Sequence, residues 1–249
     1  MESEELKEET LLSHLVELRS RLLKAGGCIL VLFICMAPFS DFIFSSVALP
    51  LMRQLPEGSS MIATQVASPF LTPFKTTMFA ALFLSVPVVL YQVWSFAAPG
   101  LYYKEKRFAV PLLISSIALF YLGTVFAYVV VFPIVFAFFT SAAPTGVAVM
   151  TDIASYLDFV LVLFFAFGVA FEVPIATVIL VWSGLTTVEA LKKNRAYVFL
   201  GAFVIGMLVT PPDIISQTLL AVPVYLLYEC GILLARILSK PKESLEENE

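Results

Sequence analysis

Four carboxylates in this sequence stand where a charge has work to do. Glu17 lies in TLLSHLVELRSRLLK (10–24), where Leu11, Leu15, Leu18 and Leu22 recur at helical spacing. His14, Glu17, Arg21 and Lys24 line another face, with Glu17 and Arg21 in the favourable i, i+4 order for an ion pair. The pattern predicts an amphipathic helix over 10–24, within a cytoplasmic N-terminal segment 1–24, lying on the inner membrane surface. Its polar face either binds a partner or is simply solvated. Glu105 is an acid among three bases in LYYKEKR (101–107). By residue type alone it reads as a solvated loop residue.

Glu172 is the third, deep in the apolar run FGVAFEVP (167–174). An ionised carboxylate near a bilayer centre costs about 2.5–3.5 kcal/mol on insertion scales, so an intramembrane acid is a functional candidate by default. It must face protein or water, or stay neutral and hydrogen-bonded, for example to a carbonyl freed near Pro174. Asp158 lies fourteen residues earlier on nearly the same helical face, and Glu229 is a weaker case of the same kind. Asp213, the fourth, ends TPPD and is followed by Ser216 and Gln217. That pattern reads first as turn chemistry: Pro-Pro-Asp ends one helix and caps the next.

Much chemistry is excluded. His14 is the sole histidine, and no HExxH, GxSxG, Walker or Gly-rich dinucleotide motif occurs. A self-contained enzyme, a resident cofactor and an ATP site are therefore not expected. Cys28, Cys35 and Cys230 sit in apolar runs, without the spacing of a disulfide framework or a zinc site. The net charge of −4 argues against nucleic acid.

The elements that must position these acids are set by hydropathy. Of 249 residues, 60% are hydrophobic and 14% charged, against about 25% charged in a soluble domain. With a mean hydropathy of +0.95, lipid is the expected solvent. Apolar runs predict six spans: Ala25 to about Ser45, Thr76 to Phe96, Phe108 to Phe139, Tyr156 to Trp182, Ala196 to Thr210 and Ile214 to Ile237. No segment alternates as a lipid-facing barrel strand would.

Lys7, Arg19, Arg21, Lys24, Lys104, Lys106, Arg107, Lys192, Lys193, Arg195, Arg236, Lys240 and Lys242 fall on one side, and only Arg53 and Lys75 on the other. The basic side is the cytoplasmic one, so both termini are placed inside and the loops near 60, 147 and 212 outside. The chain reads as one membrane domain, 1–249, with a charged cytoplasmic tail over 238–249.

The fifth run, fifteen residues, reaches roughly 22 Å, short of a hydrocarbon core of about 30 Å. The sixth is continuous for fifteen residues before Glu229 interrupts it, so the hairpin is expected to be too short for an undeformed bilayer. Pro87, Pro111, Pro133, Pro174 and Pro223 are each expected to kink a span, either as ordinary shape-setting or to build a concave bundle.

Together, SHLVELRSRLL (13–23), VASPF (66–70), APGLYYKEKR (98–107), DIASYLDF (152–159), FGVAFEVP (167–174) and GMLVTPPDIISQTLLA (206–221) closely resemble one family: TatC, the multi-spanning subunit of the twin-arginine protein translocase. The matches run in order along almost the whole chain. The resemblance implies a receptor for twin-arginine signal peptides on folded precursors, working with the single-span subunits TatA and TatB in the bacterial inner membrane and driven by the proton-motive force.

It assigns Glu17 and Glu105 as acceptors of the two arginines, with Leu18, Arg19 and Phe96 beside them. It marks Glu172 as the intramembrane acid. It places Met207 and Thr210 of the fifth span, with Asp213 and Gln217, where partner helices meet the chain. The physics agrees, since guanidinium groups seek carboxylates for bidentate, charge-assisted bonds. Composition alone would leave a small-molecule secondary transporter as the runner-up. Such a protein favours internal repeats and broken helices meeting at the midplane.

Overall fold

The computed structural model describes residues 2–53, 61–97, 106–142, 150–209 and 213–239. Glu105, Thr210, the loop positions near 60, 147 and 212, and the tail from 240 lie outside the described residues. The described chain is built of helices: α1 Glu2–Met36, α2 Ser40–Met52, α3 Ser68–Ala97, α4 Lys106–Phe126, α5 Phe132–Ser141, α6 Ile153–Ala170, α7 Val173–Trp182, α8 Val188–Lys193, α9 Arg195–Val209 and α10 Ile214–Ser239.

Five stretches are long and apolar enough to cross a membrane: Leu15–Leu49, Ser68–Phe96, Val110–Ser141, Ile153–Trp182 and Ile214–Leu238. The shorter apolar α9 is the sixth member of the set. The protein is an all-α, multi-pass membrane protein.

The prolines act in three ways. Pro38 sits at the start of a 3₁₀ turn, Ala37–Phe39, that joins α1 to α2 within the first long stretch. Pro133 has no N–H for the carbonyl of Val129, and the helix widens into a π-turn over Ala127–Val131 just before it. Pro174 likewise leaves the carbonyl of Ala170 without its usual donor, and the chain turns at Phe171–Glu172, dividing the fourth span into α6 and α7. Pro87, Pro111 and Pro223 instead lie inside uninterrupted helices.

Two expectations change. The amphipathic segment is not a separate surface helix: α1 runs unbroken from Glu2 through it into the first span. No proline interrupts 2–36, and the Gly26–Gly27 pair, with open space where side chains would be, does not break the helix. The sixth span is not short either. α10 has 26 residues, about 39 Å, and passes Glu229 without a break. The shortness of the hairpin rests on α9 alone, whose 15 residues give about 22 Å.

The chain falls into two compact units, Met1–Phe44 with Pro73–Leu113, and Ser45–Thr72 with Ile114–Glu249. In the first, α1 and α3 touch where Phe33 meets Phe74 edge-on, ring centres 6.0 Å apart. The second is held by aromatic rings. Phe126 lies 5.6 Å from Phe167, Phe132 lies 4.9 Å from Phe164, and Phe136 lies 5.3 Å from Tyr156.

Small residues set how closely the second unit's helices approach. A Cβ on Gly168 would stand 2.6 Å from the Phe120 ring. A Cβ on Gly231 would collide with Thr177 Oγ1, so α10 and α7 pack nearly backbone to backbone. Tyr228 donates to the carbonyl of Leu191 at 2.8 Å and fixes α10 to α8. Val178, Val188, Leu191, Ile232 and Ala235 are buried around it.

One latch in the second unit was not foreseen. Ile62 N–H donates to the Thr151 carbonyl at 3.0 Å, and Ile153 N–H to the Ile62 carbonyl at 2.9 Å. Asp152 caps α6, its Oδ2 accepting from Ser155 N–H at 3.0 Å. Its Oδ1 accepts from Thr64 N–H at 3.0 Å and Thr64 Oγ1 at 2.9 Å. The backbone N–H groups of Ser155 and Thr64, then the Thr64 hydroxyl, hold this carboxyl well below the usual carboxylate range.

Its folded-state value is therefore depressed. The stabilisation is fully present above the unfolded value of about 4 and is lost progressively as pH falls below it. Unfolding of detergent-solubilised Asp152→Asn, followed by helical circular dichroism, should show a shallower loss of stability below about pH 4 than the parent. Equal pH profiles would mean that the latch contributes nothing.

Candidate functional site

The first cluster sits where α1 meets the C-terminal end of α3. Glu17 and Arg21 are one helical turn apart and form an ion pair through Glu17 Oε1. Arg21 also donates to the Ser95 carbonyl at 3.0 Å and, at the long limit of a hydrogen bond, to that of Gln92 at 3.5 Å. The last carbonyls of a helix lack intrahelical donors and carry partial negative charge, so a guanidinium there is doubly satisfied. Arg21 thus orients Glu17 and anchors it to the end of α3.

Leu18 and Arg19 lie on the exposed side of α1, and Phe96 follows Ser95 on α3, partly exposed. The first cluster therefore brings together Glu17 and the α3 end that carries Phe96. The i, i+4 spacing foretold the ion pair, but nothing local foretold the bond to Ser95, 74 residues away.

The second cluster is at Glu172. This residue precedes α7 at the break that Pro174 imposes. Its Oε2 accepts from Ser116 Oγ on α4 at 2.5 Å. Its Oε1 is buried and has no hydrogen-bond partner among the described residues. The acid thus faces protein, as expected, but its partner is a hydroxyl on the third span instead of a freed carbonyl. The Ser115–Ser116 pair in the apolar run LLISSIALF (112–120) was the available signal. Asp158 stands exposed on α6.

A neutral amide keeps the geometry that accepts from Ser116. Glu172→Gln should therefore unfold in detergent within about 0.5 kcal/mol of the parent, whereas Glu172→Ala, which strands a buried hydroxyl, should lose roughly 1–2 kcal/mol. Equal losses would mean that the hydrogen bond is immaterial.

The third cluster is the α9–α10 connection. Asp213 Oδ1 accepts from Ser216 N–H at 2.7 Å, the capping role that its sequence context suggests. Gln217 Nε2 donates to the Phe203 carbonyl at 2.8 Å and ties α10 back to α9. Met207 and Leu208 project outward, 53% and 78% exposed. Gly206 is buried against Gln217.

A fourth cluster was missed because its members are far apart in sequence. Arg195, at the start of α9, donates to Glu229 Oε2 on α10 at 2.7 Å. The apparent interruption of the sixth span by an acid is answered there by a base.

Residues 13–223 match the family described as Sec-independent protein translocase protein (TatC). The protein of that name from Azotobacter chroococcum mcd 1 is 60% identical over 89% of this chain and 87% of its own length. The one from Escherichia coli strain K12 is 57% identical over 92% and 88%. A crystal structure of a twin-arginine translocase receptor, TatC, superposes with a TM-score of 0.80 at 37% identity, covering 90% of this chain and 98% of that one. Identity at this level over nearly the full length of both chains, with the same helical architecture, means that the chain belongs to the TatC family.

Proposed function

We propose that this chain is the receptor and core subunit of a translocase that recognises twin-arginine signal peptides and exports folded proteins across the bacterial inner membrane, driven by the proton-motive force. The observation that carries the reading is Glu17. Its carboxylate is oriented by Arg21 at the end of α3, in a chain similar to a solved twin-arginine translocase receptor.

Glu17 and Glu105 take the two guanidinium groups, each able to form a charge-assisted bidentate pair, and Leu18, Arg19 and Phe96 border them. Both acids lie on the cytoplasmic side, as do both termini, because the basic residues gather there. A photo-crosslinker at Leu18 or Phe96, which leaves both acids in place, should capture a precursor with a paired-arginine signal, and twin-lysine replacement should weaken capture. Equal capture of both peptides would refute this assignment.

TatA and TatB, as single-span partners, dock on α9 around Met207 and Thr210, beside Asp213 and Gln217. The support is the roughly 22 Å length of α9, which favours a thinned bilayer, and the outward-facing Met207 and Leu208. Cysteines at these two positions, in a background free of native cysteines, should crosslink to a single-span subunit in the assembled complex. Contact with lipid alone would count against docking there.

A further inference from the structure

The step between α9 and α10 opens a cavity of about 340 Å³ at the end where α9 begins. It is lined by Lys192, Arg195, Glu229, Ile232, Leu233 and Arg236, with Cys230 also at its wall. Three bases and one acid give it a formal charge of +2. Of the three bases, Arg195 is the one that pairs with Glu229 among the described residues. Lys192 and Arg236 make no ion pair or hydrogen bond among the described residues.

The other wall is apolar and opens to the outside of the helix bundle. Leu233 is 56% exposed there, and Leu234 and Ile237 continue the exposed surface along α10. The step follows from length. Arg195 pairs with Glu229, seven residues before Arg236, so α9 begins about 10 Å short of the basic end of α10. Lipid beside the short α9 would thin toward that step, which would bring headgroup phosphates near the level of these two bases.

We infer that this cavity is a binding site for the phosphodiester headgroup of an anionic phospholipid, with its acyl chains along the Leu233–Ile237 face. The charge is right for one or two phosphodiesters. A cationic recess continuous with an exposed apolar helix face suits a molecule carrying both features. A soluble anion would use only the first.

The test uses the purified full chain, delipidated in detergent and examined by native mass spectrometry with phosphatidylglycerol, cardiolipin or phosphatidylcholine added. Anionic lipid should be retained over phosphatidylcholine by roughly ten- to a hundred-fold. Lys192→Gln/Arg236→Gln should abolish that preference. Lys193→Gln, whose residue does not line the cavity, should keep it. The charge-preserving exchange Lys192→Arg/Arg236→Lys should keep it too, which separates loss of the site from loss of the fold.

The inference is overturned if Lys193→Gln acts like the double variant, or if the charge-preserving exchange also loses the preference. Competition by millimolar inorganic phosphate would mark a site for free anions. If the preference emerges only in a chain ending at Ser239, the cavity belongs to the acidic tail, residues 240–249, and the lipid assignment fails.

Discussion

A Glu105→Gln chain should insert and fold as the parent does, yet bind a paired-arginine signal peptide roughly ten- to a hundred-fold more weakly. A partly desolvated Arg–carboxylate bond contributes about 1.5–3 kcal/mol, and about 1.4 kcal/mol is one decade of affinity. Folding should be spared because a surface charge contributes little stability. Glu17→Ala should act in the same direction. It also releases Arg21 from its partner, although Arg21 keeps its bond to Ser95, so α1 should remain attached to α3.

Changing the peptide's arginines to lysines should weaken binding to the parent, since a lysine cannot fork. The same change should cost less in either glutamate variant, which is the signature of direct coupling. Fluorescence anisotropy of a labelled signal peptide would measure all corners of the cycle. Strictly additive losses, or full affinity in Glu105→Gln, would mean that the arginines are read elsewhere.

Gly231→Val should be among the most damaging single substitutions in the second unit. The added Cβ would overlap Thr177 Oγ1 and lie 2.9 Å from Pro174 Cα. The threonine can rotate, but the backbone around Pro174 cannot yield, because it forms the α6–α7 break and packs against α10. Overpacking usually costs about 1–3 kcal/mol, and the rigid neighbour puts this case at about 3 kcal/mol.

Gly201→Val is the matched control. It places the same residue in a helix where nothing lies within 4 Å of the new Cβ. Valine has a higher helix propensity than glycine, so stability should change by less than about 1 kcal/mol and no loss is expected. Denaturant unfolding in one detergent would compare them. Similar losses in the two variants would show that the close approach of α7 and α10 does not limit stability.

Much of this could be read from the residues in order, and the reason is locality. A span is a length of apolar chain, so the long stretches stand near where hydropathy puts them, and α9 is as short as its residues require. A cap is a side chain acting within one turn, so Asp213 holds Ser216 as its Pro-Pro-Asp context suggests. The Glu17–Arg21 pair is likewise one turn of helix. Family motifs are strings of residues, and they carried the resemblance that the comparisons then established.

Other features needed the folded chain, because their partners are distant in sequence and no local rule selects them. Glu172 demanded a polar neighbour, but only the packing of α4 against the α6–α7 break names Ser116, 56 residues away. Asp152 binds Thr64 across 88 residues, and Arg195 answers Glu229 across 34. Proline marks where a helix can yield, but neighbours decide whether it does: Pro174 breaks its span and Pro223 does not. Sequence thus indicated where the apolar stretches lie and which polar groups need partners. Tertiary structure chose the partners, because a polar side chain can bond only to the groups that packing brings within reach.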